Sequence, residues 1–150
     1  MSGEVVPQNV TIRPAMASDY DAIVNVWRES GSNVRTSGRE RREAFEQQLA
    51  AFSDLYLVAE WGGRMVGVVL GSHDHRKGWI NRLAVRPEWR RHGVATSLVD
   101  ACDAAIRARG IEIVCALVEA GNEPSARLFE SMGYDQAPVR YFRKLSRPNV

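Results

Sequence analysis

Arg90-Arg91-His92-Gly93-Val94-Ala95 lies between a strand-like run, Ile80 to Val85, and a helix-like run, Ala95 to Arg109. Gly93 lets the backbone approach a ligand closely, and Ala95 is too small to block one. The start of a helix adds unpaired N–H donors and a partial positive charge. Such a turn is a candidate anion cradle, and it suits a pyrophosphate. Neither G-x-x-x-x-G-K-S/T nor G-x-G-x-x-G occurs in the chain, so a Walker nucleotide site and a dinucleotide fold are both disfavoured. Arg86, Arg90, Arg91 and His92 concentrate positive charge at the turn, whereas the net charge of the whole chain, +2, is too small to argue for nucleic acid.

Other residues capable of chemistry have plainer readings. His73-Asp74-His75 puts two imidazoles on one side of a strand, but no third protein ligand is identifiable, so a polar hairpin turn is favoured over a metal site. Cys102 and Cys115 sit in apolar surroundings without C-x-x-C spacing, which fits buried thiols in a reducing compartment better than a disulfide or zinc. Trp27 and Trp79 read as core aromatics, with the wall of an acceptor pocket as the alternative.

The elements that must hold the turn follow from periodicity and turn residues. With 150 residues, 45% hydrophobic and 25% charged, the chain is expected to form one globular domain over 10–145, with flexible ends at 1–9 and 146–150. Its longest apolar windows are strand-sized, far short of the roughly 20 residues of a membrane span. Met1 to Asn9 is polar and shows no signal peptide. Val10 to Arg13 alternates as a strand ended by Pro14, and Ser18 then N-caps a helix with Ile23, Val24 and Trp27 on its apolar face. A second helix, Arg39 to Ala51, follows the loop Ser30 to Gly38. Leu55 to Glu60 and Met65 to His73 form a hairpin across Trp61-Gly62-Gly63-Arg64, and Gly78 to Val85 is the next strand.

The helix after the cradle places Leu98, Cys102, Ala105 and Ile106 on one face and stops at Gly110. Ile111 to Val118 is nearly all apolar, as a central strand covered on both faces would be. Asn122 to Met132 is a short helix with Pro124 in its first turn. Tyr134 to Ala137 and Val139 to Leu145 are two closing strands. The order β-α-α-β-β-β-α-β-α-β-β gives an α/β fold whose mixed central sheet has about six to seven strands, flanked by about four helices.

Arg90-x-x-Gly93-x-Ala95 resembles the Gln/Arg-x-x-Gly-x-Gly/Ala signature of the GNAT superfamily of N-acetyltransferases, whose loop holds the pyrophosphate of acetyl-coenzyme A. Ile80-Asn81-Arg82-Leu83-Ala84-Val85-Arg86-Pro87-Glu88-Trp89 looks like that superfamily's strand and turn before the loop. Asn122-Glu123-Pro124-Ser125-Ala126-Arg127-Leu128-Phe129-Glu130-Ser131-Met132-Gly133-Tyr134 looks like its later Asn-x-x-x-Ala-x-x-x-Tyr-Glu-x-x-Gly-Phe helix. With the element order, the resemblance spans Val10 to Leu145. Within the superfamily it is greatest to small bacterial and archaeal proteins similar to ribosomal-protein alanine N-acetyltransferases.

The resemblance implies a single-domain GNAT-like fold that uses acetyl-CoA as acetyl donor. Leu83, Ala84 and Val85 would offer backbone groups to the pantetheine arm, and Arg90, Arg91, His92, Gly93, Val94, Ala95 and Thr96 would hold the pyrophosphate. Asn122 would hydrogen-bond the cofactor, and Arg127 would join Arg90 and Arg91 in adding charge for its phosphates. At catalysis the chain departs from the family. Phe129 stands where many relatives carry a tyrosine general acid, and is expected to pack against the cofactor's arm instead. Asn81 and Leu117 stand where relatives carry glutamate. The proton acceptor is therefore open among ordered water, Glu119, Asp74 and Tyr141.

The expected activity is acetyl transfer from acetyl-CoA to a primary amine, of a small molecule or of a protein N-terminus or lysine. Direct attack within a ternary complex suits a chain with no nucleophile dyad. The alternative is a non-catalytic acyl-CoA-binding or sensing domain. A cytoplasmic location is expected, with no metal and no nucleic-acid or membrane partner, and a homodimer is left open beside a monomer.

Overall fold

The computed structural model describes residues 9–150, so the N-terminal segment read as flexible over 1–9 lies outside them except for Asn9. The elements run β1 (Val10–Pro14), α1 (Tyr20–Glu29), α2 (Arg42–Ala51), β2 (Tyr56–Trp61), β3 (Arg64–His73), β4 (Gly78–Val85), α3 (Val94–Arg107), β5 (Val114–Ala116) and α4 (Glu123–Ser131). Strands β1 to β4 pair antiparallel with their sequence neighbours, and β5 joins β4 in parallel. The result is a mixed, five-stranded sheet in the order β1-β2-β3-β4-β5. The β2–β3 turn is Gly62-Gly63, with φ of 55° and 79°; two successive left-handed residues are what a two-residue hairpin requires.

Five strands replace the six to seven expected, and two features of the chain explain the shortfall. The apolar run 111–118 is not a central strand: pairing covers Val114–Ala116 alone, at the sheet's edge, and Ile113 and Leu117 are half exposed. A continuous apolar run fits a buried strand and the rim of a sheet equally well, and here the next segment supplies no partner. Tyr134 to Ala137 and Val139 to Leu145 form no strand. An alternating pattern becomes a strand only where an edge receives it, and Val139, Tyr141 and Phe142 stay in solvent. The chain instead turns toward the α1–α2 loop, where Arg147 Nη2 donates to Ser37 O at 2.9 Å and Arg39 Nη1 donates to Val150 O at 2.6 Å.

Ser18 does not cap α1. It lies within a 3-10 turn, Ala17–Asp19, and the Asp19 carboxylate takes the Met16 N–H at 2.7 Å. Asp19 also receives both terminal nitrogens of Arg13 at 2.8 and 2.9 Å, while Arg13 Nε donates to Glu60 at 2.9 Å. This two-carboxylate clamp ties the entry to α1 onto β1 and β2.

Helices α1 and α2 cover one face of the sheet through Ile23, Val26, Trp27 and Phe45, against Tyr56, Val58, Val68 and Ala84. Helix α3 covers the other through Leu98, Val99, Cys102 and Ile106, and Phe129 of α4 joins the same core. Close approach of α3 depends on three glycines beneath it. A Cβ would stand 2.9 Å from Leu98 Cδ1 at Gly67, 2.6 Å from Cys102 Sγ at Gly71 and 2.2 Å from Ile106 Cγ2 at Gly78. These contacts fix how deep α3 lies, and so where its N-terminus emerges.

Candidate functional site

That N-terminus is the cradle. After β4 a 3-10 turn, Pro87–Trp89, swings the chain over, and Gly93 adopts φ 74° and ψ 9° as the N-cap of α3. The first intrahelical bond of the helix is Ser97 N to Gly93 O at 3.0 Å, so the N–H groups of Val94, Ala95 and Thr96 precede the ladder and carry the positive end of the dipole. Arg91 is also left-handed, at φ 65°, a strain that a non-glycine residue holds only when its surroundings impose it.

Strand β4 leads into the cradle along an open wall. Its pairing with β5 covers Gly78–Ile80 against Val114–Ala116, and from Asn81 onward the two strands part. The gap opens into a cleft of about 580 Å³ lined by Leu83, Ala84 and Val85 on one wall and by Asn122, Ser125, Arg127 and Leu128 of the α4 region on the other. Ser30, Arg90, Arg91 and Ala95 also line it. A smaller hollow of about 110 Å³ continues over Gly93, Val94, Ala95 and Thr96. The structure thus gathers most of the residues singled out from the sequence around one elongated groove.

The rest fall elsewhere. Phe129 is 7% exposed in the α3-side core, its ring edge-on to Tyr134 at 5.2 Å, while Leu128 faces the cleft. His92 packs against Trp89, with ring centroids 5.6 Å apart. Arg86 is buried, donating to Met65 O at 2.7 Å and pairing with Glu29, and does not line the cleft. Asn122, already on the cleft wall, also caps α4: its Oδ1 accepts from Ser125 N at 3.3 Å. Trp27 is buried beneath α1, and Trp79 is partly exposed on β4.

Of the three side chains weighed as bases, Asp74 belongs to the β3–β4 hairpin at the far end of β4. There its Oδ1 accepts from Arg76 and Lys77 N–H groups, which hold its carboxyl below the usual range. Tyr141 is 70% exposed in the C-terminal segment. Glu119 follows β5 and lines neither cavity, though its charge is close enough to act on Arg82. His73 receives the His75 N–H at Nδ1 and faces Arg109 at Nε2, and no group of three or more metal-ligating side chains occurs among the described residues. Cys102 is buried and its thiol is pushed up to about 12 by desolvation, which makes it inert; Cys115 is half-buried.

One cluster carried no signal from motif or spacing. Arg82 stands where the β3–β4 register shifts, at φ 55°, just where β4 leaves β5. Its guanidinium lies 4.4 Å over the Trp27 ring, and Nη1 is 3.6 Å from Glu40 Oε1. Trp27 Nε1 donates to Arg82 O at 3.2 Å. Burial pulls the Arg82 guanidinium below its ordinary pKa, with Glu40 opposing that shift.

A groove ending at a helix N-terminus, with strand β4 along one wall, fits a long phosphorylated molecule laid beside β4. The comparisons with known proteins agree. Residues 20–134 match the model of the acetyltransferase (GNAT) family. An acetyltransferase of Photorhabdus laumondii is 27% identical over 124 residues, covering 83% of this chain and 85% of the relative. The PaiA N-acetyltransferase of Thermoplasma acidophilum, solved in complex with coenzyme A, superposes with a TM-score of 0.78 at 16% identity, covering 87% of this chain and 92% of that one. The ribosomal-protein-S18-alanine N-acetyltransferase of Escherichia coli superposes with a TM-score of 0.72 at 19% identity, covering 87% and 81%. The chain belongs to the acetyltransferase (GNAT) family, and is an acetyl-CoA-dependent acyltransferase.

Proposed function

We propose that this protein transfers the acetyl group of acetyl-CoA to a primary amine, of a small molecule or of a protein N-terminus or lysine, by direct attack within a ternary complex. The observation that carries this reading is the parting of β4 and β5 after Ile80, which leaves Leu83, Ala84 and Val85 without a β5 partner along a cleft that ends at the open N–H groups of α3. The relatives' names, acetyltransferase and alanine N-acetyltransferase, support an amine as acceptor.

Acetyl-CoA supplies an acyl group activated as a thioester. The chain's part is to hold and orient. Val94, Ala95 and Thr96 N–H groups bind the pyrophosphate, helped by Arg90, Arg91 and Arg127 from the rim, and the β4 backbone aligns the pantetheine amides. Asn122, which caps α4 on the opposite wall, closes the groove. As the C–N bond forms the C–S bond breaks, the amine's proton passes to water or Glu119, and the thiolate takes a proton from solvent. Phe129, buried and without a proton to give, plays no acid role. Fixing amine and thioester together supplies much of the acceleration.

The test is release of free thiol from acetyl-CoA in the presence of a panel of amines and peptide N-termini. Acceptor-dependent release is expected. Coenzyme bound tightly with no thiol released for any acceptor would instead make this a sensing domain.

A further inference from the structure

Glu40 Oε1 is shared between Arg39 Nε at 3.5 Å and Arg82 Nη1 at 3.6 Å, and the Glu40–Arg82 pair is incompletely satisfied. Among the described residues, the buried side-chain polar atoms without a hydrogen-bond partner are Glu40 Oε1, Arg82 Nε and Arg82 Nη2. Buried polar atoms are nearly always paired, and leaving a charged one without a partner is costly. Here the orphans coincide with a left-handed arginine at the point where β4 leaves β5. The Glu40 side chain is 5% exposed and is anchored on its other oxygen by Arg35 N at 3.2 Å, while Tyr20 Oη donates to Glu40 O at 2.5 Å. Glu40 therefore cannot easily swing to close the gap.

The geometry of the guanidinium says what is missing. Nη1 faces Glu40, and the ring of Trp27 fixes the guanidinium plane. The remaining edge, Nε with Nη2, is the fork that receives a carboxylate through two parallel bonds; Arg13 uses the same edge on Glu60, at 2.9 and 3.2 Å. Arg82 does not itself line the cleft; it immediately precedes Leu83, the first residue of β4 that does, on the side away from the phosphate cradle. Under the acetyl-transfer reading, on which this inference rests, that side is where the amine must arrive.

We propose that Arg82 is a specificity residue whose Nε–Nη2 edge binds a carboxylate carried by the acceptor beside its amine, with Glu40 as the positioning residue that holds the guanidinium. The acceptor class is a small amino acid or another carboxylate-bearing primary amine. Both donor atoms are closed to solvent in this state. Acceptor binding therefore shifts the 30–40 loop or turns the guanidinium on Trp27.

The experiment compares kcat/KM for an α-amino acid, its amide, and a peptide beginning with the same residue, in the wild type, Arg82→Gln and Arg82→Lys. Acetyl-CoA affinity, measured by calorimetry, reports that each variant is folded. The expected result is a preference for the amino acid over its amide of about tenfold or more, the size of a charge-assisted hydrogen bond. That ratio falls to near one in both variants, because lysine keeps the charge and loses the fork. A wild type without the preference, a wild type favouring the peptide, or variants that retain the ratio would overturn the proposal while leaving acetyl transfer intact. Acetyl-CoA binding without turnover of any acceptor would remove both readings.

Discussion

Replacing Gly67 with alanine tests whether the seat of α3 on the sheet positions the cradle. The added Cβ would lie 2.9 Å from Leu98 Cδ1, 3.2 Å from Ala84 O and 3.2 Å from Val94 Cγ1. The Leu98 methyl ends a flexible side chain and can yield. Ala84 O is backbone of a paired strand and cannot, so the added methyl is pressed toward α3, where Val94 Cγ1 in the first turn must give by a few tenths of an ångström. Overpacking of this kind costs about 1–3 kcal/mol, and Gly67→Ala falls at the lower end. A shift of that size at donors that should touch a pyrophosphate costs about 1 kcal/mol of binding, or roughly fivefold in Kd.

Gly71→Ala is the control. Its Cβ meets Cys102 Sγ at 2.6 Å and Leu55 O at 2.9 Å, well along α3 from the cradle, so it should cost about 3 kcal/mol and lower Tm by roughly 6–12 °C. Its coenzyme affinity should nevertheless stay near that of the wild type wherever it is folded. Calorimetric titration with coenzyme A and thermal melts of both variants decide the matter. Equal losses of affinity in the two, or no loss in Gly67→Ala, would refute the idea that helix depth sets the cradle.

Two further outcomes are expected. Asp19, held below its ordinary pKa of 3.8 by Arg13, contributes stability that is complete above that value and lost as pH falls through the lower folded one. Asp19→Asn should therefore lower stability by about 2 kcal/mol at pH 7, and denaturant melts against pH should show wild type and variant converging below pH 4. A difference that persists at acid pH would contradict the clamp. Cys102, with its thiol near 12 and no exposure, should resist a thiol-alkylating reagent in the native protein while Cys115 reacts first, as read by mass spectrometry of digested fragments. Early labelling of Cys102 would show that α3 does not lie as described.

Local chemistry made the hairpin, β4 and the cradle legible in sequence. Gly62-Gly63 dictates a two-residue turn, and Gly93 ahead of an apolar periodic run dictates a helix start, whatever else the chain does. Partner choice was not legible. Whether 114–116 becomes a central or an edge strand, and whether 139–145 pairs at all, depends on which surfaces meet after folding. The Glu40–Arg82 pair was missed for the same reason, since the two residues are brought together only by packing of the 30–40 loop over β4. The one available hint was the polar Asn81-Arg82 step inside an otherwise apolar strand.

The central claim is that acetyl-CoA lies along β4 with its pyrophosphate on the start of α3. Titrating coenzyme A into isotopically labelled protein and following backbone amide resonances tests it most directly. The largest shifts should fall on Val94, Ala95 and Thr96, with a second set at Leu83, Ala84 and Val85. Resonances of the His73 to Lys77 hairpin should stay still. Saturable binding that leaves Val94 to Thr96 unmoved would contradict the claim.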